Sequence, residues 1–267
     1  MFGNPFYHRT IKKYVILMGT LFNEMYINRF DKENNLSQTI DVPIAYAPRD
    51  KMMARMEQDP SLSRQVAITL PRMSFEMLGI SYDPTRKLTT TTRNYALIDG
   101  NKEQVRYQYV PVPYNFNFQL HIYVKNAEDG TKILEQILPY FTPDWTATVE
   151  LIPEMNINMD IPVVLTNVAM QDLYEGNFEQ RRVLIWTLDF TLKGYLFGPT
   201  KKVGLIKFAE VNFIDNTTST NKLLETIEVY PGLLANGSPT TDPNLTIPYT
   251  SINADDDYGF IVRIVEG

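Results

Sequence analysis

The sequence predicts an α+β fold, a mostly antiparallel or mixed β-sheet packed with two main helices and followed by an extended C-terminal arm. Three observations carry this. From Tyr114 to Val124, apolar Tyr114, Phe116, Phe118, Leu120, Ile122 and Val124 alternate with Asn115, Asn117, Gln119, His121 and Tyr123. From Val183 to Tyr195, Leu184, Trp186, Leu188, Phe190 and Leu192 alternate with Ile185, Thr187, Asp189, Thr191 and Lys193. Ile11, Tyr14, Val15, Met18, Leu21 and Phe22, and separately Ile133, Leu134, Ile137, Leu138 and Phe141, recur at spacings of three and four. A period of two marks a strand with one buried face, and a period near 3.6 marks a helix with an apolar stripe.

Along the chain, the helix over Ile11–Phe22 comes first. Lys12 and Lys13 ahead of its apolar run imitate a signal peptide, but Asn23-Glu24-Met25 offers no small-residue cleavage site, and the run is too short to span a bilayer. Met25–Phe30 and Thr39–Tyr46 read as strands joined by the polar loop 31–38, with Pro43 marking an edge or a bulge. Arg49–Glu57 reads as a short helix ending before Pro60. Val66–Tyr82 reads as two strands or one bent at Pro71, and the Thr-rich stretch 85–100 as a loop or exposed hairpin. After the strand at 114–124, Asn126-Ala127-Glu128-Asp129 opens a helix, with its acids where the helix dipole favours them. Pro139 lacks an N–H and clashes one turn back, so this helix stops or kinks near Leu138. Thr146–Ile152, Pro162–Ala169, Val183–Tyr195 and Val203–Phe213 read as further strands. Beyond Pro231 the composition turns to Gly, Pro, Asn, Ser and Thr. Residues 1–230 therefore read as a single domain, and 231–267 as an arm ordered by its neighbours, with Phe260–Val265 able to pair as a terminal strand.

Composition narrows the chemistry. The 267 residues contain no cysteine and two histidines, so thiolate chemistry is absent and a zinc site has too few ligands. A net charge of −6 argues against direct nucleic-acid binding. Asp31-Lys32-Glu33-Asn34-Asn35 begins like a calcium loop, but Leu36 replaces the turn glycine and Val42 the bidentate glutamate; a solvated hairpin loop accounts for it. Asp255-Asp256-Asp257 reads as a solvated turn. Gly198-Pro199-Thr200-Lys201-Lys202 lacks the glycine spacing of a phosphate loop and reads as a turn between strands. No nucleophile motif and no nominated acid/base pair points to catalysis. Asn216-Thr217-Thr218, Asn236-Gly237-Ser238 and Asn244-Leu245-Thr246 fit the glycosylation pattern but carry no weight without a secretion signal.

What remains is a surface. Glu135–Pro143, "EQILPYFTP", runs a helix into a proline, two aromatics and a second proline. A stiff corner of this kind presents Tyr140 and Trp145 to a neighbour at little ordering cost; the alternative is that Tyr140 and Phe141 fill the core. Tyr123 and His121, on the outward row of the 114–124 strand, complete the candidate interface residues.

Several stretches, taken together, resemble the tail sheath stabiliser, or tail completion, family of T4-like contractile-tailed bacteriophages. They are Met1-Phe2-Gly3 with the run 13–22, Val42–Ala47, Leu70-Pro71-Arg72, the closest match at 135–143, and Arg181-Arg182 leading to Trp186, Leu188 and Gly194-Tyr195. Their colinear order over residues 1–200 makes the likeness specific. The resemblance implies a non-enzymatic virion protein without cofactor, assembled in the host cytoplasm. It implies a hexameric ring at the head-proximal end of the tail, in contact with the sheath protein, the tube terminator and the neck proteins. DNA would pass through the ring without specific binding, and no membrane is involved. The rival readings are a tube-terminator ring, a carbohydrate- or receptor-binding module, and third a baseplate enzyme.

Overall fold

The computed structural model describes residues 5–31, 33, 35–57, 70–98, 104–173, 183–215 and 222–266. In chain order, its elements begin with α1 (Thr10–Leu21), β1 (Tyr26–Phe30), β2 (Leu36–Asp41), β3 (Ile44–Tyr46) and α2 (Arg49–Glu57). They continue with β4 (Arg72–Tyr82), β5 (Arg93–Leu97), β6 (Gln104–Tyr109), β7 (Val112–Val124), α3 (Ala127–Ile137), β8 (Asp144–Ile152) and β9 (Ile157–Leu173). The last are β10 (Val183–Leu196), β11 (Lys201–Gly204), β12 (Ala209–Asp215), β13 (Lys222–Gly232) and β14 (Gly259–Glu266). The protein is mostly β, with three described helices, one of them the short helix over Arg49–Glu57. Parts of the expected bent strand (66–69), of the resemblance (1–3 and 181–182) and the sequon at 216–218 lie outside the described residues.

The chain divides into two compact units, Met1–Thr89 with Pro111–Phe197, and Thr90–Val110 with Gly198–Gly267. The expected boundary at residue 230 falls inside β13.

The first unit is built on a six-stranded sheet in the order β3-β4-β7-β10-β9-β8. β3 runs parallel to β4 and the other pairs are antiparallel, so the sheet is mixed. Its centre is β7 against β10, where Phe116, Phe118, Leu120, Ile122 and Val124 pair with Leu192, Phe190, Leu188, Trp186 and Leu184. The two alternating rows found in the sequence thus meet on one face, and α1 and α3 cover it. Tyr14 of α1 packs edge-on to Phe116, at 4.9 Å between ring centres, and Phe22 lies 5.4 Å from Phe190. The Tyr14 hydroxyl donates to Tyr195 O at 2.9 Å and accepts from Tyr195 N, also at 2.9 Å. The Ile133, Leu134 and Ile137 stripe of α3 is buried, and Gly130 lies against the Trp186 ring, where a Cβ would come within 2.5 Å of Nε1. Burying each such large apolar side chain contributes roughly 1.5–3 kcal/mol.

α3 ends at Ile137, and a 3-10 turn follows over Leu138–Tyr140, as Pro139 requires. Lys13 Nζ donates to the carbonyls of Glu150 (2.6 Å) and Leu151 (3.0 Å), tying α1 to the outermost strand, β8. β1 and β2 form a separate antiparallel hairpin. Pro43 separates β2 from β3, where one continuous strand over 39–46 was expected. Asp31 Oδ1 accepts from the backbone N–H groups of Glu33 and Asn35, making the hairpin loop expected there.

The second unit holds two three-stranded sheets, β11-β6-β5 and β12-β13-β14. The stretch 85–100 supplies β5, one arm of an antiparallel hairpin with β6. The single strand expected over 203–213 is split: β11 pairs with β6, and β12 pairs with β13. Residues 231–266 do not extend as an arm. β14 returns antiparallel to β13, from Gly232↔Gly259 to Glu225↔Glu266. The intervening segment is tied down by backbone bonds such as Ile247 N to Leu233 O (2.8 Å) and Thr240 N to Gly232 O (3.1 Å). Glycine is required at 232 and 259, because a Cβ at either would collide with the Thr240 carbonyl oxygen.

Candidate interaction surfaces

The sheet face of the first unit that points away from α1 and α3 is polar and internally paired. His121 Nδ1 lies 3.2 Å from Thr187 Oγ1, Ser74 Oγ 3.1 Å from Tyr123 Oη, and Gln119 Nε2 donates to Asp189 Oδ1 at 2.7 Å. Asn167 Nδ2 reaches the other oxygen of Asp189 at 3.1 Å. α2 and the residues before it cover one end of this face, where Ala47, Met52, Tyr123 and Ile185 form a buried cluster. Arg49 spans the same end, with its N–H on Glu76 and its guanidinium on Gln171.

His121 and Tyr123, expected on an exposed or interfacial row, are therefore both fully buried. Period-two polarity placed them on the correct face, but α2 then crosses it. Burial lowers the His121 pKa, opposed by Glu76 at 3.6 Å, and raises that of Tyr123, so neither carries charge near neutral pH. Ile185, in the cluster with Met52 of α2, and Thr187, beside His121, were expected to face away from the core and are buried as well.

The proline corner is laid out differently. Tyr140 is 69% exposed. Phe141 turns inward, 5.2 Å from Phe190 and 6.5 Å from Phe22. Tyr140 thus stays at the surface, while Phe141 packs toward the core. Trp145, at the start of β8, is half-buried beside Val163 of β9, beyond the cis Thr142–Pro143 bond. Tyr140 and Pro139 line a shallow depression with Glu24, Met25, Glu135 and Gln136.

Further apolar surface was not singled out from the sequence. Past a bulge at Met77/Gly79, the second half of β4 exposes Leu78, Ile80 and Tyr82. A second such area is one face of β12-β13-β14. Register places Phe260, Val262 and Ile264 of β14 beside Pro231, Val229 and Ile227 of β13. Val211 and Phe213 of β12 continue the rows. Phe260, Val262 and Ile264 are 64%, 60% and 59% exposed, and Val211 and Phe213 are exposed as well. The opposite face is covered only in part: Ile261 and Thr226 are buried and Phe208, Tyr230 and Tyr249 stack on one another, while Glu210, Asn212, Arg263 and Val265 are exposed. The alternation of 260–264 was visible in the sequence; its alignment with two other apolar rows depends on the strand register.

Among the described residues, no group of three His, Asp or Glu is placed to hold a metal ion, and no helix is long and apolar enough to cross a membrane.

The class defined here is a β-rich protein whose notable features are surfaces rather than a cleft lined with reactive groups. The profile of the T4-like virus Myoviridae tail sheath stabiliser family matches residues 5–258, and the chain belongs to that family. It is similar to the tail completion protein gp15 of Enterobacteria phage T4, at 31% identity over 225 residues, 81% of each chain. The family match continues well past residue 200, where the resemblance read from the sequence stopped. Membership makes this a structural protein of a contractile-tailed bacteriophage and a component of the virion tail.

Proposed function

We propose that the chain forms a hexameric ring at the head-proximal end of the tail. There it caps the last sheath disc and the tube terminator, holds the sheath extended and offers the face on which the neck docks. It acts without catalysis or cofactor, after assembly in the host cytoplasm. The observation that carries this reading is the family match across 5–258, which includes the proline corner, β12 and β13 and ends just before β14. Tyr140 is a ring or tail contact in this reading: a rigid aromatic at a proline-bounded turn costs little entropy to immobilise.

The test is to add the purified chain to sheathed tails and to bare tubes and image both. Six-fold caps on sheathed tails support the reading. Caps on bare tubes alone would make it a tube terminator. Tyr140→Ala is expected to reduce capping while leaving the fold intact; loss of the fold would return Tyr140 to a packing role.

The net charge of −6 has a place in the ring. Six such copies around a channel would repel phosphate and let DNA pass without sticking. A neutral or basic lumen in the imaged ring would remove this part of the reading.

A further inference from the structure

We infer that the apolar face of β12-β13-β14 is a subunit contact, and that its occupant is a second copy of this chain. The inference rests on the homo-oligomeric reading above and names the surface that serves it.

Area is the first support. The exposed parts of Val211, Phe213, Phe260, Val262 and Ile264 with their neighbours come to the order of 500 Å², near the upper end for the largest apolar patch of a typical monomer. A standard interface takes about 800 Å² from each partner, a little over half of it apolar. This one face thus supplies the apolar share of one side.

Composition is the second. Across the middle of the three strands the rows hold only apolar side chains, and the charges, Glu225 and Glu266, sit at one end. That is the texture of a permanent interface, which resembles a core cut in half, rather than of a transient one.

The third support is the strand edge. β14 is an edge strand of eight residues, with Phe260, Val262 and Ile264 on one side. A long apolar edge left bare invites uncontrolled pairing. The cover available to every newly made chain, at matching concentration, is another copy of itself. A ring needs two different patches on each subunit, and this face supplies one.

The absence of cysteine gives a direct test. Val262→Cys puts one thiol in the middle of the β14 row of the face, and Ile206→Cys puts a control thiol at a position 88% exposed. Maleimide labelling of each is followed across a dilution series, with native mass measured in parallel. At assembling concentrations the thiol at 262 is expected to label at least about tenfold more slowly than on dilution, by mass action, while that at 206 keeps its rate. A ring in which the thiol at 262 labels at the dilute rate overturns the inference and leaves the ring reading standing. Fast labelling at all concentrations that slows only on sheathed tails is resolved by a cross-linker placed on the thiol at 262: a cross-link to another copy of this chain supports the inference, and one to a tail protein overturns the second-copy assignment. Fast labelling both alone and on capped tails removes the face from any contact. Equal slowing at both positions means general aggregation and also overturns it.

Discussion

Two sheets in this protein carry equally apolar rows and meet opposite fates. On β7 and β10, Phe116, Phe118, Leu120, Leu188 and Phe190 are buried beneath α1 and α3. On β14, Phe260, Val262 and Ile264 stay more than half exposed. An apolar row therefore states that a face needs cover, and it does not say whether that cover lies within the chain. Where two helices of the same unit supply it, the row stabilises the monomer. Where no described element does, the row is free to stabilise an assembly.

The sharpest way to break this contrast is to truncate one residue in each row. Phe118→Ala is expected to cost about 3–5 kcal/mol in denaturant unfolding, because the cavity lies between two packed layers. Val262→Ala should shift monomer stability by no more than about 0.5 kcal/mol, as surface changes do, while weakening self-association. Comparable losses of monomer stability at the two sites would mean that the β14 face is covered within the monomer.

Overpacking probes the same buried layer from the other direction. A Cβ at Gly194 would lie 2.6 Å from Tyr14 Cε2 and 2.8 Å from Phe116 Cε2. Both rings are fully buried and cannot swing away, so Gly194→Ala should cost about 2–3 kcal/mol, read as a lowered Tm.

Tyr14→Phe should cost about 1–2 kcal/mol, since it removes two hydrogen bonds to the Tyr195 backbone. It should also change the alkaline limb of the stability curve. Burial pushes the Tyr14 pKa up from 10.0 to about 12. The unfolded chain thus loses this proton first, and stability is retained below about pH 10 and falls as pH rises toward about 12. Denaturant midpoints from pH 8 upward should show this decline in the wild type and a smaller one in Tyr14→Phe.

At the exposed corner, Tyr140→Ala should leave the Tm within a degree or two, corresponding to about 0.5 kcal/mol or less, and its effect should be confined to binding of sheathed tails.

How far the sequence could be read followed from which forces were local. The end of α3 was legible because Pro139 forbids the next backbone bond whatever surrounds it. The α2 span was legible from residues 49–57 alone. The alternating rows of β7 and β10 correctly gave the helix-covered face. Burial of Tyr123 was not legible: it depends on α2, some seventy residues earlier in the chain, covering one end of the second face of the sheet. The closed C-terminal segment was not legible either. A stretch rich in Gly, Pro and Asn reads as an arm until β14 is seen to return to β13.

The sequence by itself determined that the protein is rich in strands with helices packed on a largely antiparallel sheet, the two central strands, the stop of α3 and, through colinear motifs, the family. These rest on periodicity, backbone chemistry and order along the chain, which need no knowledge of distant neighbours. Only the tertiary structure decided which rows are covered, how 203–213 is divided between two sheets, and that β12, β13 and β14 align their apolar rows into one bare face. Those outcomes depend on strand register and on contacts between residues far apart in the chain. A one-residue slip would send each row to the opposite side, and no local pattern records the register.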